Sequence, residues 1–215
     1  MDMTPSEAVA ATSEKVSVYI DGFNLYFGMK QSGFRRFYWL DIHKLAMSFL
    51  KPDQRLIDVK YFTARISGPE DKRIRQNTFL EAVATLAGVT VFEGQFISKE
   101  MRCRSCSFRW DSHEEKMTDV NIATEMLMDA VAGRFDRAIL VSADSDLVPP
   151  VRALRGPVLK REVIVALPPA RTSIALKKEA TGHFQISSSR LSQCQLADQV
   201  TKPGGFVLHR PPSWK

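Results

Sequence analysis

The segment VSVYIDGFN, from Val16 to Asn24, decides the fold class of this chain. It begins with a compact apolar run, which predicts a buried β-strand, and Asp21-Gly22 ends that strand at a turn. Further apolar runs follow and alternate with segments of helical periodicity. This alternation predicts an α/β fold with a mainly parallel central sheet and right-handed crossovers.

The other predicted elements lie between residues 41 and 179. The predicted strands are 56–64, 89–92, 138–142 and 162–167, and the predicted longer helices are 70–87, 118–132, 146–155 and 172–179. We expect Asp41 to cap a short helix and Thr118 to cap the helix at 118–132, because Ser, Thr, Asp and Asn are the preferred residues at helix starts.

Acidic residues stand at three ends of these predicted elements. Asp21 follows the first strand, Asp144 and Asp146 follow the strand at 138–142, and Asp119 opens a helical pattern. In an open α/β fold these places lie at the edge of the sheet where ligands bind. Four carboxylates there repel one another unless a cation lies among them. Mg²⁺ and Mn²⁺ prefer oxygen ligands, so the pattern predicts a site for one of these metals.

Most of these acids also have an ordinary structural interpretation. Asp21 could belong to a turn, Asp119 suits the dipole of a first helical turn, and Asp146 could cap the following helix. Asp144 has no such role, because an acid directly past a buried strand costs desolvation without a partner. The set is more specific than its members, since three different elements each place an acid at the same predicted edge.

Three segments, YIDGFNLYFG, KMTDVNIATEMLMDA and ILVSADSDLVPPVRAL, resemble in this order the NYN domain, in the bacterial LabA-like branch of the PIN-like nucleases. The resemblance covers about residues 16–185. It implies a three-layer, PIN-like Rossmannoid fold and a Mg²⁺- or Mn²⁺-dependent ribonuclease that hydrolyses RNA phosphodiester bonds with a metal-activated water.

The resemblance also implies roles for single residues. Asp21, Asp119, Asp144 and Asp146 match the metal-binding acids of the family, and Asn24 matches an Asn that we take to orient a water or a phosphate. These residues are the predicted catalytic set.

Two further residues near this edge are open to two interpretations each. Ser142 matches a small hydroxyl residue of the family, or it makes an ordinary hydrogen bond at a strand end. Lys116 could contact an RNA phosphate, or it is a solvated lysine whose stem covers apolar surface.

Residues 94–115 interrupt the alternation and are expected to form an inserted hairpin or loop. This segment contains Cys103 and Cys106, and a Cys-x-x-Cys pair is half of a structural zinc site. His113 is a candidate third ligand, and Asp111 or Glu114 a candidate fourth. Otherwise the two cysteines are thiols in a loop.

The same insert carries aromatic and basic residues side by side. Phe108 and Trp110 stand beside Arg102, Arg104 and Arg109. Aromatic side chains stack on the bases of single-stranded RNA while arginines hold its phosphates, so we expect RNA contacts here. Alternatively, Trp110 fixes the insert onto the domain.

The composition is that of an ordinary globular protein with a basic excess. The 215 residues carry a formal charge of +6 and have a pI of about 9.3, which suits a polyanionic partner. Three cysteines suit a reducing compartment, and no apolar run reaches the length of a membrane span, so we expect a cytoplasmic protein. We expect a disordered arm at 1–15, one domain at 16–186 and an irregular tail at 187–215.

Two other functions compete with the ribonuclease. One is a non-catalytic RNA-binding or regulatory module on the same fold. The other is a haloacid-dehalogenase-like phosphatase, which also places an Asp after its first strand. That chemistry needs Asp-x-Asp, whereas Asp21 is followed by Gly22 and Phe23, so the general acid is missing.

Overall fold

The computed structural model describes residues 13–102 and 105–215, with the backbone alone for 96–100 and 110–115. Its sheet has the order β4-β3-β2-β1-β5-β6-β7, in which β4 alone is antiparallel. The strands are β1 (Glu14–Asp21), β2 (Gln54–Ala64), β3 (Val89–Arg102), β4 (Arg109–Lys116), β5 (Arg137–Val141), β6 (Glu162–Leu167) and β7 (Gly182–Gln185). The predicted α/β fold with a mainly parallel sheet is confirmed.

Helices cover both faces of the sheet and make three layers. They are α1 (Gly22–Gln31), α2 (Ile42–Met47), α3 (Glu70–Val83), α4 (Thr118–Val131), α5 (Val148–Arg155), α6 (Ile174–Glu179) and α7 (Ser188–Gln193). Because side chains alternate along a strand, Val18 and Ile20 face the core under α1, α2 and α3, while Tyr19 faces the core under α4, α5 and α6.

Several local predictions differ from the structure. Thr118 is the first residue of α4 rather than its cap, and Met117 before it adopts a left-handed backbone with φ of 80°. Helix α3 ends at Val83, four residues before the predicted end at 87. The insert at 94–115 is a hairpin, as one of the two alternatives predicted, since β3 continues to Arg102 and pairs with β4.

The expected tail at 187–215 contains regular structure. After α7 the chain forms a two-stranded hairpin of β8 (Gln199–Thr201) and β9 (Val207–His209), and a 3-10 turn over Pro212–Trp214. Trp214 is buried, and its ring lies 5.7 Å from that of Tyr38 and 6.3 Å from that of Trp39. The sequence did not predict this regular structure, because the buried residues of the segment follow neither a helical nor a strand period.

The two chain ends differ in how far the structure describes them. Of the arm predicted at 1–15, residues 1–12 lie outside the described part, while Glu14 and Lys15 already belong to β1. Over the ranges that are described, no helix is long and apolar enough to cross a membrane.

A candidate active site lined by carboxylates

The candidate site lies where β1 and β5 end side by side. Ile20 pairs with Val141 in parallel register, so the next residues of both strands meet at one edge. There the Ser142 hydroxyl donates a hydrogen bond of 2.9 Å to Asp21 Oδ2. Asp21 Oδ1 accepts the backbone N–H of Asn24 at 2.9 Å, so this buried carboxylate also caps α1.

The loop after β5 is held by the same side chains. Ser142 Oγ accepts the backbone N–H of Asp144 at 3.0 Å, and Asn24 Oδ1 accepts that of Ala143 at 3.1 Å. Asp144 Oδ1 in turn accepts the N–H of Asp146 at 3.0 Å. Asp144 therefore caps the turn that leads into α5. The sequence had allowed this ordinary role for Asp146 and had denied one to Asp144, so that interpretation of Asp144 was wrong. Ser142 makes more than an ordinary strand-end bond, since it joins two of the predicted acids.

Three of the four predicted acids line one cleft of about 320 Å³. Its lining residues are Asp21, Phe23, Asn24, Phe27, Met117, Thr118, Asp119, Val120, Asp144 and Arg171. Asp146 is exposed and does not line the cleft, although its charge acts on Asp119. The structure thus places Asp21, Asn24, Asp119 and Asp144 together, with Asp146 beside them.

The carboxylate charges influence one another in this cleft. The pKa of Asp119 is raised above its ordinary value, first because the side chain is half-buried and then because Asp144 and Asp146 repel its negative charge. Added positive charge in the cleft would relieve the part of this shift that comes from repulsion.

The donor set fits a hard divalent cation in chemical type. Oxygen ligands from Asp21, Asp119 and Asp144 surround the cleft, and a cation would relieve the repulsion that raises the pKa of Asp119. Within the described ranges, however, no three His, Cys, Asp or Glu side chains are grouped closely enough to hold one ion by themselves. The carboxylates are therefore arranged around the cleft rather than gathered into a closed cage.

Arg171 is a cleft residue that the sequence did not single out. Its Nε is buried and has no hydrogen-bond partner among the described residues. It follows Ala170, whose φ of 52° is unusual for a residue other than glycine. Helix α1 packs closely against this loop, since a Cβ on Gly28 would lie 2.6 Å from the Pro169 carbonyl oxygen. The available signal was its place shortly after β6, at the same edge as the acids.

The predicted RNA and zinc residues of the insert lie elsewhere. Arg102, Arg109 and Lys116 are exposed on the β3–β4 hairpin and do not line the cleft. Cys106 is exposed with a free thiol. Cys103, Arg104 and the side chain of Trp110 lie outside the described part, so zinc binding and base stacking by the insert stay predictions.

With this geometry in place, the comparison with known families is decisive. The model of the NYN domain matches residues 15–188. The chain belongs to the NYN domain family. The NYN domain is part of the PIN-like nuclease superfamily, so the predicted family and fold are confirmed at this level.

Two known proteins are similar to this NYN domain protein. One is 6-hydroxy-3-succinoylpyridine 3-monooxygenase HspA of Pseudomonas putida (strain DSM 28022 / S16), 25% identical over 240 residues that cover 93% of this chain and 75% of that protein. The other is the crystal structure of a protein of unknown function from Vibrio parahaemolyticus RIMD 2210633, with a TM-score of 0.56 and 22% identity. That likeness covers 86% of this chain and 98% of the other, and it shows a shared fold.

Proposed function

We propose that this NYN domain protein, as a member of the LabA-like branch, is a ribonuclease that uses Mg²⁺ or Mn²⁺ to hydrolyse RNA phosphodiester bonds. The observation that carries the proposal is the cleft that Asp21, Asp119 and Asp144 line together, in which burial and the charges of Asp144 and Asp146 raise the pKa of Asp119. A nuclease-like family and an oxygen-rich site at the carboxyl edge of the sheet support the same conclusion.

Each side chain has a defined part in this proposal. Asp21, Asp119 and Asp144 would hold the divalent ion or ions together with water and phosphate oxygens, with Asp146 adding negative charge nearby. A bound ion of this kind lowers the pKa of water and stabilises charge on the phosphate in the transition state. Ser142 holds the Asp21 carboxylate and the Asp144 backbone, and the Asp146 N–H holds the Asp144 carboxylate, so both carboxylates are positioned before RNA arrives.

Arg171 adds a positive charge to the lining of the cleft. Its buried guanidinium nitrogen has no hydrogen-bond partner in the described structure, and arginine binds phosphate oxygens in a fixed fork geometry. We assign Arg171 to the non-bridging oxygens of the phosphate that is cut. Asn24, whose side-chain oxygen is engaged with Ala143, positions the loop between β5 and Asp144.

The RNA partner is proposed to be single-stranded. The formal charge of +6 provides phosphate contacts, and the exposed Phe108, Arg102 and Arg109 on the hairpin offer stacking and charge to an open strand. The hairpin and the cleft are joined through β4, which ends at Lys116 just before α4 begins.

The test is cleavage of end-labelled single-stranded RNA with Mg²⁺, with Mn²⁺ and with EDTA. Asp144→Asn keeps the oxygen that accepts the Asp146 N–H and removes one charge, so we expect a folded variant whose cleavage falls by on the order of 100-fold. Asp53→Asn is the matched control, because Asp53 is exposed near the opposite end of β1 and should cut normally.

Two results would contradict the proposal. If the parent protein binds RNA and leaves it intact with both metals, the non-catalytic module is correct. Cleavage that continues in EDTA would exclude a metal-dependent site.

A further inference from the structure

A second and larger cavity lies between α1 and α3. Its volume is about 570 Å³, within the range of about 300–1,000 Å³ found for small-molecule sites. It lies beside the carboxylate cleft, because Phe23 lines both spaces and Gly22 directly follows Asp21.

The wall of this cavity is aromatic. Tyr38, Phe79 and Trp214 form its inner part, with 5.7 Å between the rings of Tyr38 and Trp214 and 6.3 Å between those of Phe79 and Trp214. Tyr26 is 37% exposed, and its ring lies 4.9 Å from that of Tyr38. A flat, conjugated group that enters here meets ring faces and edges on several sides.

The same cavity is strongly basic. Lys30, Arg35, Lys72 and Arg75 belong to its lining, and none of the described lining residues is Asp or Glu. Arg75 pairs at 2.8 Å with Asp71, an exposed carboxylate outside the lining, and this is the one lining cation with a carboxylate partner in the described structure. The excess of positive charge suits an anionic group with several oxygens.

The Tyr38 hydroxyl in the aromatic wall is neutral. Burial, with a further contribution from Tyr26, raises the pKa of Tyr38 to about 12 against the opposing charge of Arg35. Tyr38 therefore remains a phenol that can donate a hydrogen bond across the physiological pH range.

We propose that this cavity binds a nucleotide, with its base among the aromatic side chains and its phosphate among the four cations. Two sources supply this chemistry: a free mononucleotide, or one nucleotide of an RNA strand that continues past Phe23 into the carboxylate cleft. The second source rests on the proposed ribonuclease function. Stacking on aromatics and charge on phosphates are the interactions by which proteins hold single nucleotides of a strand.

The test measures binding without cleavage, in EDTA. After Trp110→Phe removes the tryptophan of the hairpin, the emission comes from Trp214, which lines the cavity, and from Trp39, whose ring lies 6.3 Å from it. A ligand in the cavity should therefore change this emission. The ligands are AMP, adenosine, inorganic phosphate and a single-stranded oligoadenylate of about ten nucleotides, the site size of a short binding groove. We expect saturable quenching by AMP or by the oligoadenylate, and much weaker effects of phosphate alone.

Matched variants identify the cavity. Lys72→Ala combined with Arg75→Ala should weaken binding about tenfold or more, as expected for lost charged hydrogen bonds. Tyr26→Ala should also weaken nucleotide binding, because it removes an aromatic ring on which the base would stack. Arg73→Ala is the control, because Arg73 is an exposed cation of α3 outside the lining and should bind like the parent.

The outcomes separate the two sources and the two proposals. Binding of AMP assigns the cavity to a free nucleotide, and binding of the oligoadenylate alone assigns it to a strand. Absence of both, or binding that the double variant leaves unchanged, overturns the inference. If the Asp144→Asn variant binds AMP and the parent protein cuts no RNA, the ribonuclease proposal is refuted while the assignment of this cavity stands.

Discussion

At the scale of single residues, Ser142 joins the two halves of the carboxylate cleft. It is fully buried, donates to Asp21 from β1, and accepts the N–H of Asp144 in the loop after β5. Neither partner is local in the chain to the other, so one hydroxyl sets the distance between two of the acids. Removing the hydroxyl leaves the buried Asp21 oxygen and the partly buried Asp144 N–H to be satisfied by other groups.

We therefore expect Ser142→Ala to destabilise the protein by about 1–3 kcal/mol and to lower RNA cleavage as well. Urea denaturation in EDTA measures the first effect, and the cleavage assay measures the second. Ser192→Ala is the control, because the Ser192 hydroxyl is exposed and bonds only within α7. Unchanged stability and cleavage in Ser142→Ala would mean that the hydroxyl does not hold the acids in place.

Asp119 makes the metal-free protein sensitive to pH. Its pKa is raised by burial and by Asp144 and Asp146, so the folded state takes up a proton more readily than the unfolded state. Above the raised pKa, the ionised Asp119 carboxylate lowers the free energy of unfolding by its full amount. This destabilisation disappears as pH falls through that value towards the ordinary value of about 3.9.

Asp119→Asn should remove this dependence. In EDTA at neutral pH we expect the variant to be more stable than the parent, and the difference should shrink as the pH is lowered through the raised pKa. Thermal melting at a series of pH values measures it, with Asp53→Asn as a control that keeps the parental curve. A variant that melts below the parent at neutral pH would show that the Asp119 carboxylate stabilises the fold.

At the scale of secondary-structure elements, a buried ionic network fixes α4 on the sheet. Lys60 of β2 is buried, and its Nζ donates to Glu125 Oε2 at 2.7 Å and to Asp129 Oδ2 at 2.5 Å. Tyr19 of β1 donates to the same Asp129 oxygen at 2.7 Å. Burial acts to lower the pKa of Lys60, but the hydrogen bonds that it donates to Asp129 and Glu125, with the charges of these carboxylates, outweigh burial and raise the pKa, so the lysine stays charged. Helix α4 carries Asp119 in its first turn, so this network also orients the cleft.

Breaking one side of this network should cost more than removing both. We expect Asp129→Leu to destabilise the protein by on the order of 3 kcal/mol, because Lys60 keeps a buried charge with one carboxylate fewer. Adding Lys60→Met should recover part of that loss, which urea denaturation of the single and double variants measures. Arg152→Met, in the exposed pair with Glu179, should have little effect. Additive losses in the double variant would mean that the network is not a unit.

The elements also show what local sequence can and cannot predict. The bounds of β6 and the acids at the carboxyl edge were predicted because apolar runs and the residues after them are local signals. The full length of β3 was not, since its last residues are stabilised by pairing with β4 rather than by their own pattern. Arg171 and the link from Ser142 to Asp21 depend on contacts between distant segments, which one sequence does not display.

At the scale of the whole molecule, the last residues complete the core under α1 and α3. Trp39 donates from Nε1 to the Ala197 carbonyl oxygen at 2.7 Å, and Lys202 pairs with Glu81 at 2.9 Å. Trp214 packs among the rings of Tyr38 and Phe79. The segment that follows the family match is thus part of the folded unit and forms one wall of the basic aromatic cavity.

Trp214→Ala should destabilise the protein by about 3–5 kcal/mol, the usual cost of removing a buried aromatic side chain. Phe206→Ala is the matched control, because Phe206 lies in the same segment and is 66% exposed. Guanidinium denaturation compares them. Equal, small losses in both variants would mean that the C-terminal segment adds little to the core.

The overall charge predicts a strong effect of salt on RNA binding. With a formal charge of +6, phosphate contacts should release counterions, so affinity for single-stranded RNA should fall steadily as salt rises from low to moderate concentration. Fluorescence anisotropy in EDTA measures this. Arg171→Ala should reduce the slope of log affinity against log salt concentration by about 1, the loss of one phosphate contact, whereas Arg73→Ala should leave this slope unchanged. A flat response would exclude binding dominated by phosphates.

The pairing of β1 with β5 has a consequence for the newborn protein on the ribosome. The hydrogen bond between Asp21 and Ser142 spans 121 positions of the chain. At a synthesis rate of about 5–20 residues per second, Ser142 is synthesised on the order of ten seconds after Asp21. During that interval, Asp21 has been synthesised but the cleft is incomplete, because Ser142 and the loop after β5 have not yet been made. The proposed ribonuclease activity, which needs both residues, therefore cannot act on the messenger RNA before Ser142 has been synthesised.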